Sequence, residues 1–254
     1  MRALINEADR GRAADPLFLR DLADRFDVPW RTRIIFDDFG DGDYTRNPAW
    51  RVVSGSFAVD PRRGLLSRAG AATTTRDRAE EASAKDLAVG LLADLLAKSL
   101  GDEPAEGARL EPPPRERAAE IALGQSITNA FSLTAEIAGG SDAGDFEFVV
   151  FQGARRDAGY RLVLVPDRGI SLLRIARGQS TVIAEARGAL RLADGAGHVV
   201  QWTRAPEGRM VVRFDGVAQL EATDQAFRDA FDGVSLITRR GEYRLSSLGI
   251  DGAG

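Results

Sequence analysis

The sequence predicts an all-β protein, an antiparallel β-sandwich (jelly roll) with an N-terminal helix and a helical insertion. The first observation is a series of short apolar segments between Tyr160 and Leu248, separated by glycine-containing turns. The second is Asp215-Gly216, a typical two-residue hairpin turn because both residues tolerate a positive φ. Antiparallel strands of this length bury one face only by packing as a sandwich or barrel. The segments read YRLVLV, ISLLRIA, STVIAEA, HVVQWTR, RMVVRF, VAQLEA, GVSLIT and EYRLSSL.

The first 30 residues have a helical pattern. Asp15-Pro16 is a typical helix start, apolar residues recur at helical spacing from Leu19 to Phe26, and Pro29 ends the pattern. We therefore expect residues 1–30 to form a helical segment outside a sandwich of residues 31–254. A helix that docks on a partner is the alternative.

Residues 76–120 interrupt the strand pattern. Their first half is amphipathic, and their second half contains three consecutive prolines, which enter neither a helix nor a central strand. We expect a helical and proline-rich insertion between two strands of the sandwich. Its apolar stripe packs either on its own domain or against a partner; the stripe consists of Leu87, Leu91, Leu92, Leu95 and Leu96.

Composition excludes several classes of function. The net charge of −4 gives no basic field for nucleic acid or an anionic membrane surface. No apolar run is long enough to span a membrane. The absence of cysteine excludes disulfides, thiol catalysis and thiolate metal sites.

Two regions carry a family resemblance. Residues 36–60 read FDDFGDGDYTRNPAWRVVSGSFAVD, and a hairpin at 197–216 reads GHVVQWTRAPEGRMVVRFDG, preceded by a related stretch at 157–186. Together they resemble the concanavalin A-like lectin/glucanase superfamily, in particular bacterial laminin-G-like jelly rolls. The positions that match the late hairpin are Gly197, His198, Trp202, Arg204, Gly208, Val211, Val212, Asp215 and Gly216.

The resemblance implies a fold that hosts both glycosidases and binding modules. Glycosidases of this fold carry an E-x-D-x-E type motif on one strand, and this sequence has no such triplet. The nearest candidate is Asp145-Phe146-Glu147, which we interpret as an ordinary strand start. His198 is the only histidine, so a catalytic triad or histidine-rich zinc site is not favoured, and we expect it to be structural.

The acidic loop after the first predicted strand is the candidate metal site. Calcium prefers six to eight oxygen ligands, which closely spaced carboxylates and carbonyls supply. The superfamily resemblance implies a structural Ca²⁺ between the first and last strands, held by Asp37 or Asp38 together with Asp251. The alternative is a solvated turn in which these side chains bond their own backbone.

The candidate ligand-binding residues are Arg155, Arg156, Tyr160 and Trp202, because aromatic rings stack on sugars and arginine binds acidic groups. A core position for the tryptophan is the alternative. We expect a non-enzymatic binding or structural module that binds carbohydrate or another component of a bacterial cell envelope. An adhesion module that uses the insertion and a glycosidase are the alternatives. We expect a periplasmic or extracellular location although no signal peptide is visible, and whether a leader precedes residue 1 stays open.

Overall fold

A computed structural model describes residues 30–69 and 118–253, which form two antiparallel sheets packed face to face. The predicted antiparallel sandwich is confirmed. None of the described residues is helical, and none belongs to a helix that is long and apolar enough to cross a membrane. The strands are β1 (Trp30–Asp37), β2 (Arg51–Ser54), β3 (Ser56–Asp60), β4 (Gly64–Ala69), β5 (Ala119–Leu123), β6 (Phe131–Gly139), β7 (Phe146–Gln152), β8 (Ala158–Val165), β9 (Gly169–Ala176), β10 (Gln179–Arg187), β11 (His198–Arg204), β12 (Arg209–Phe214), β13 (Val217–Thr223), β14 (Gly233–Thr238) and β15 (Gly241–Ala253).

The predicted helices lie outside the described residues, but three predicted boundaries can be compared with the structure. The N-terminal segment was expected to include residue 30, yet Trp30 already pairs with Ala253 as the start of β1. The insertion was expected to extend to residue 120, yet β5 begins at Ala119, where it pairs with Thr238. The last predicted strand segment ends at Leu248, but β15 continues to Ala253 and so contains Asp251. Pairing partners that are distant in sequence extend each of these strands.

One sheet has eight strands and the other has seven. The eight-stranded sheet has the order β13-β12-β11-β6-β15-β4-β3, with β1 also paired to β15. The thirteen-residue β15 pairs through its first half with β4 and through its second half with β1. The seven-stranded sheet has the order β10-β9-β8-β7-β14-β5-β2.

The core lies between the two sheets and is built from alternate residues of each strand, as a half-buried pleat requires. Trp202 and Phe131 are fully buried and meet edge to face with ring centroids 5.2 Å apart. Phe146 and Phe148 meet in the same way at 5.0 Å. Aromatic pairs of this geometry add to the stabilisation from area burial.

The chain crosses from one sheet to the other at Gly55. β2 lies at the edge of the seven-stranded sheet and β3 at the edge of the eight-stranded sheet, with Gly55 alone between them. Its φ of +79° is in the left-handed region, and a Cβ there would lie 2.4 Å from the Cα of Ala119. Only glycine fits this corner.

The sandwich has two distinct ends. We call the end that holds the β6–β7, β8–β9 and β14–β15 connections the upper end, and the end that holds Trp30 and Ala253 the lower end. Ala69 pairs with Gly241 and Ala119 pairs with Thr238, so the residues that flank 70–117 both lie at the upper end.

Candidate ligand-binding site

An open cleft of about 1200 Å³ lies at the upper end of the sandwich. It is formed where strands of both sheets turn, so its walls are connections rather than strand faces. Loops carried by a rigid sandwich are the usual position of binding residues. The walls are formed by residues 140–145 between β6 and β7, residues 165–168 between β8 and β9, residues 239–242 between β14 and β15, together with Arg68, Ala69 and Ala193.

Hydrogen bonds fix the cleft walls to one another. The backbone N–H of Gly144 donates to the carbonyl of Arg240, and that of Arg239 donates to the carbonyl of Asp145, both at 2.9 Å. The hydroxyl of buried Tyr243 donates to the carbonyl of Gly144 at 2.5 Å. The 140–145 loop is thereby tied to the start of β15, which gives the cleft a defined shape.

Charged side chains line the cleft in two groups. Arg68 pairs with Glu242, and Arg239 pairs with Glu147, so these two cations are already engaged. The second group makes no side-chain hydrogen bond or ion pair within the described part of the chain. This uncommitted group consists of Asp142, Asp145, Asp167, Arg168 and Arg240, and it offers both donors and acceptors to a ligand.

Glu147 is held in an ion-pair cluster beside the cleft. Arg239 donates from Nε to Oε1 at 2.6 Å and from Nη2 to Oε2 at 3.2 Å, and Nε of Arg161 lies 3.4 Å from Oε2. The carboxylate side chain is only 5% exposed. The hydrogen bond to Glu147 raises the pKa of Arg239. A carboxylate engaged by two guanidinium groups has little remaining capacity to protonate a leaving group or to attack a sugar.

The four predicted ligand-binding residues do not come together. Tyr160 and Trp202 are both fully buried in the core, so neither ring presents a face on which a sugar could stack. Arg155 is largely exposed and pairs with Asp157 at 2.9 Å. The loop that carries these arginines follows β7 at the lower end, away from the cleft. The core alternative that the sequence left open for the tryptophan agrees with its burial.

Arg156 has a different environment from its neighbour. Its Nη1 donates to Glu120 at 2.6 Å and lies 3.3 Å from the hydroxyl of Ser235, and its guanidinium lies 5.8 Å from the ring centre of Phe151. Arg156 therefore covers the outer face of the seven-stranded sheet. These contacts engage the guanidinium that the sequence offered to an acidic ligand.

The buried polar residues of the late hairpin are structural at the lower end. Arg204 is 1% exposed and donates to the carbonyls of Asn129, Asp224 and Phe227 at 2.9–3.1 Å. The hydroxyl of Tyr160 donates to Asp224 at 2.7 Å, and burial followed by this hydrogen bond raises the pKa of Tyr160 to about 12. This arginine therefore fixes three loop carbonyls instead of reaching a ligand.

The structure places the predicted calcium ligands in separate environments. Asp37 is buried on the core side of β1, where it accepts from the N–H of Phe39 at 2.8 Å and from Nε1 of Trp50 at 2.9 Å. Burial is the main reason why the pKa of Asp37 is raised. Asp251 lies opposite Arg33, with which it forms an ion pair, and therefore faces the outside of the sheet.

Asp38 is exposed and accepts from the N–H of Gly40 at 3.0 Å, as in a short polar turn. Within the described residues, no group of three or more acidic, histidine or cysteine side chains is close enough to hold a metal ion. The Ca²⁺ ion stays a prediction, and this geometry does not bring Asp37 and Asp251 together on one face.

His198 connects two turns near the upper end. Its Nδ1 lies 2.8 Å from Oδ2 of Asp215, its Nε2 lies 3.1 Å from Oδ1 of Asp194, and its ring stacks on Phe214 at 5.0 Å. Burial lowers the pKa of His198, but the hydrogen bonds to Asp215 and Asp194 outweigh it, so the net pKa is raised. This agrees with the structural role expected for the only histidine.

Of the uncommitted cleft residues, sequence reasoning considered only Asp145, which it interpreted as part of an ordinary strand start. Asp142, Asp145, Asp167, Arg168 and Arg240 lie in connections between strands, of which the sequence marks PDRG and RRG as turns. The missing information was which turns share one end of the sandwich, because this depends on strand order. If strand direction is assumed to alternate along the chain, the β6–β7, β8–β9 and β14–β15 connections are expected at the same end of the sandwich.

Comparisons with known proteins concern the fold. No protein-family model and no curated protein matches the sequence. The carbohydrate recognition domain of Emp46p in its potassium-bound form is similar, with a TM-score of 0.54, 10% identity, and coverage of 87% of this chain and 97% of that chain. A Bacillus subtilis protein of unknown function with a galectin-like fold has the same TM-score and identity, with 87% and 96% covered.

A sialidase is also similar, with a TM-score of 0.52 and 13% identity. The match covers 89% of this chain but 19% of the sialidase. At these identities the likeness shows the fold alone. The chain therefore shares the two-sheet sandwich fold of these structures, and the comparisons do not identify it as laminin-G-like.

Proposed function

We propose that this protein is a non-enzymatic carbohydrate-binding module of the laminin-G-like type and that the cleft at the upper end holds the sugar. The observation that carries the proposal is the uncommitted group of Asp142, Asp145, Asp167, Arg168 and Arg240. The loops that carry these side chains are hydrogen-bonded to one another around a cleft of about 1200 Å³, somewhat above the usual size of a ligand site. The lectin-type fold supports the same reading, since a similar structure is a carbohydrate recognition domain.

The chemistry of the cleft suits a polyhydroxylated ligand. Each sugar hydroxyl can donate to a carboxylate and accept from a guanidinium, and the cleft presents both kinds of group side by side. Hydrogen bonds to charged groups are stronger than those between neutral groups. The cleft is not dominated by one sign of charge, because its lining contains four arginines and four carboxylates, so we propose a neutral rather than an acidic sugar.

The arrangement around Glu147 argues against this carboxylate as a catalytic residue. A retaining or inverting glycosidase requires two carboxylates that face the glycosidic bond. Glu147 instead faces Arg239 and Arg161, and it is buried. We also propose, from the sequence resemblance, that the module acts in a bacterial cell envelope, with a glycan or an envelope protein as its partner.

A glycan array with the whole chain tests the proposal. We expect wild-type protein to bind a subset of neutral glycans and Asp145→Ala and Arg168→Ala each to weaken binding about tenfold, a loss of about 1.4 kcal/mol. Arg155→Ala is the matched control, because Arg155 is an exposed arginine at the opposite end of the sandwich. Loss of binding in the Arg155 variant with intact binding in the cleft variants would place the site elsewhere.

A further inference from the structure

The outer face of the eight-stranded sheet carries an exposed aromatic ring. Phe36 on β1 is 53% exposed, and among the described residues it is the only aromatic side chain that is as open to solvent. Its immediate neighbours in β1 are buried and face the core. Exposed apolar surface is unfavourable in water, so burying the ring of Phe36 against a bound partner would be favourable.

Phe36 is the first position of a row that crosses five strands. Register pairs it with Gly249 on β15, then Thr134 on β6, Gln201 on β11 and Arg213 on β12. Directly paired residues share a face, and adjacent strands lie about 4.8 Å apart, so the row extends about 19 Å. We call these five residues the Phe36 row.

The polar members of the row, Thr134, Gln201 and Arg213, make no side-chain hydrogen bond within residues 30–69 and 118–253, and Arg213 interacts electrostatically with Glu221. Gly249 carries no side chain, and the ring of Phe36 and the guanidinium of Arg33 occupy the space beside it, each 3.8 Å from where a Cβ would lie. The row therefore offers an apolar platform at one end followed by free donors and acceptors.

The position of the ring is fixed from one side. The guanidinium of Arg33 lies 5.2 Å from the ring centre of Phe36, and Arg33 is in turn paired with Asp251. Phe36, Arg33 and Asp251 all belong to the β1–β15 ladder, which is part of the rigid sheet. The exposed half of the ring is thus presented in a fixed position next to the row.

We infer that the Phe36 row is a second glycan-binding surface, which takes an extended neutral sugar chain. One sugar ring stacks its apolar face on Phe36, and the next ones bond through hydroxyls to Thr134 and Gln201. The inference deepens the proposed carbohydrate-binding function and rests on it, but it uses a sheet face instead of the upper cleft. Only Arg213 is charged in the row, which is why a neutral chain is the expected ligand.

Affinity electrophoresis of the whole chain tests this inference. Native gels contain one neutral polysaccharide each: β-1,3-glucan, xylan, galactan or levan. We expect at least one polymer to retard the wild-type protein. Phe36→Ala should lower the apparent affinity for that polymer about tenfold, and Gln201→Ala should lower it by a smaller factor. Phe36→Tyr should keep it, because the ring remains.

Val217→Ala is the control, because Val217 is a 61% exposed apolar residue on the same sheet but outside the row. Thermal melts of all variants establish that they fold. If Phe36→Ala does not fold, Gln201→Ala tests the row in its place. Unchanged retardation of a folded Phe36→Ala and of Gln201→Ala would overturn the inference, as would a wild-type protein that none of the four polymers retards. If glycans bind on the array and only the cleft variants lose them, the proposed function stands and the Phe36 row does not.

Discussion

Glu147 lies on a central strand of the seven-stranded sheet, where two arginines engage a carboxylate that is almost fully buried. If the charge of Glu147 is removed, Arg161 and Arg239 stay partly buried without a carboxylate to compensate their charge, and this lowers the stability of the folded state. The arginines are partly exposed, so solvent screens part of that cost.

We therefore expect Glu147→Gln to lower the free energy of unfolding by about 2 kcal/mol. Urea denaturation measures the change. Glu185→Gln is the matched control, because Glu185 forms an exposed pair with Arg187 and its loss should cost almost nothing. Robust polysaccharide turnover that Glu147→Gln abolishes would contradict both this structural role and the absence of hydrolytic activity that we predict.

His198 should give the protein a stability that depends on pH near neutrality. Its pKa is raised in the folded state, so protonated His198 stabilises the fold below about pH 6.5, its unfolded pKa, and the contribution is lost as pH rises through the folded pKa. We expect a higher melting temperature at pH 6 than at pH 8, and His198→Gln should flatten this difference.

The absence of other histidines makes the test specific, because a single imidazole can be followed by NMR. An imidazole titration midpoint below 6.5, or a melting temperature that does not change between pH 6 and pH 8, would show that Asp194 and Asp215 do not stabilise the protonated form of His198.

Among the elements, the hairpins could be predicted from sequence because their turns are local. Asp215 and Gly216 have φ values of +49° and +79°, and Asp167 and Gly169 also have positive φ. Each turn joins antiparallel neighbours, as expected. The pairing of β6 with β11 and β15 could not be predicted, because alternation defines a strand's buried face but not its neighbour.

The candidate site shows the same limit. A tyrosine and a tryptophan in strands were interpreted as a binding face, yet in a strand the two faces differ only by one residue of register. Tyr160 and Trp202 fall on the core side. The residues that line the cleft are ordinary turn residues in sequence, and only the tertiary arrangement brings them together.

The corner at Gly55 provides a prediction with an internal control. Gly55 and Gly216 both have φ of +79°, but a Cβ at Gly55 would meet Ala119 at 2.4 Å, whereas nothing lies within 4 Å at Gly216. Gly216→Ala should cost about 1 kcal/mol from backbone strain alone. Gly55→Ala should cost a further 1–3 kcal/mol or so from overpacking. Equal denaturation midpoints of the two variants would show that the corner relaxes freely.

At the scale of the whole molecule, the Ca²⁺ prediction concerns how the first and last strands are held. β1 and β15 are already joined by a ladder and by the Arg33–Asp251 pair. A bound ion would add stability as RT ln(1 + [L]/Kd), about 2.7 kcal/mol at a hundredfold excess. If the ion is present, chelator should lower the melting temperature by several degrees and Asp38→Asn should do the same.

Elemental analysis of the purified protein decides the matter together with the melts. No metal, and melts that chelator leaves unchanged, would identify the acidic loop as a turn whose carboxylates cap their own backbone, as Asp38 does with Gly40. Asp43→Asn is a useful comparison, because Asp43 lies in the same loop but bonds to Thr45.

The pairing of Trp30 with Ala253 has a consequence for how the sandwich can be joined to other domains. The first and last strands enter and leave side by side at the lower end, while the cleft opens at the upper end. Because Trp30 and Ala253 lie side by side, the sandwich could be inserted into a surface loop of another protein without a change in the spacing of that loop's ends. Repeated copies linked through these neighbouring ends would each point their cleft away from the linker, which suits simultaneous engagement of several sites on a polymer.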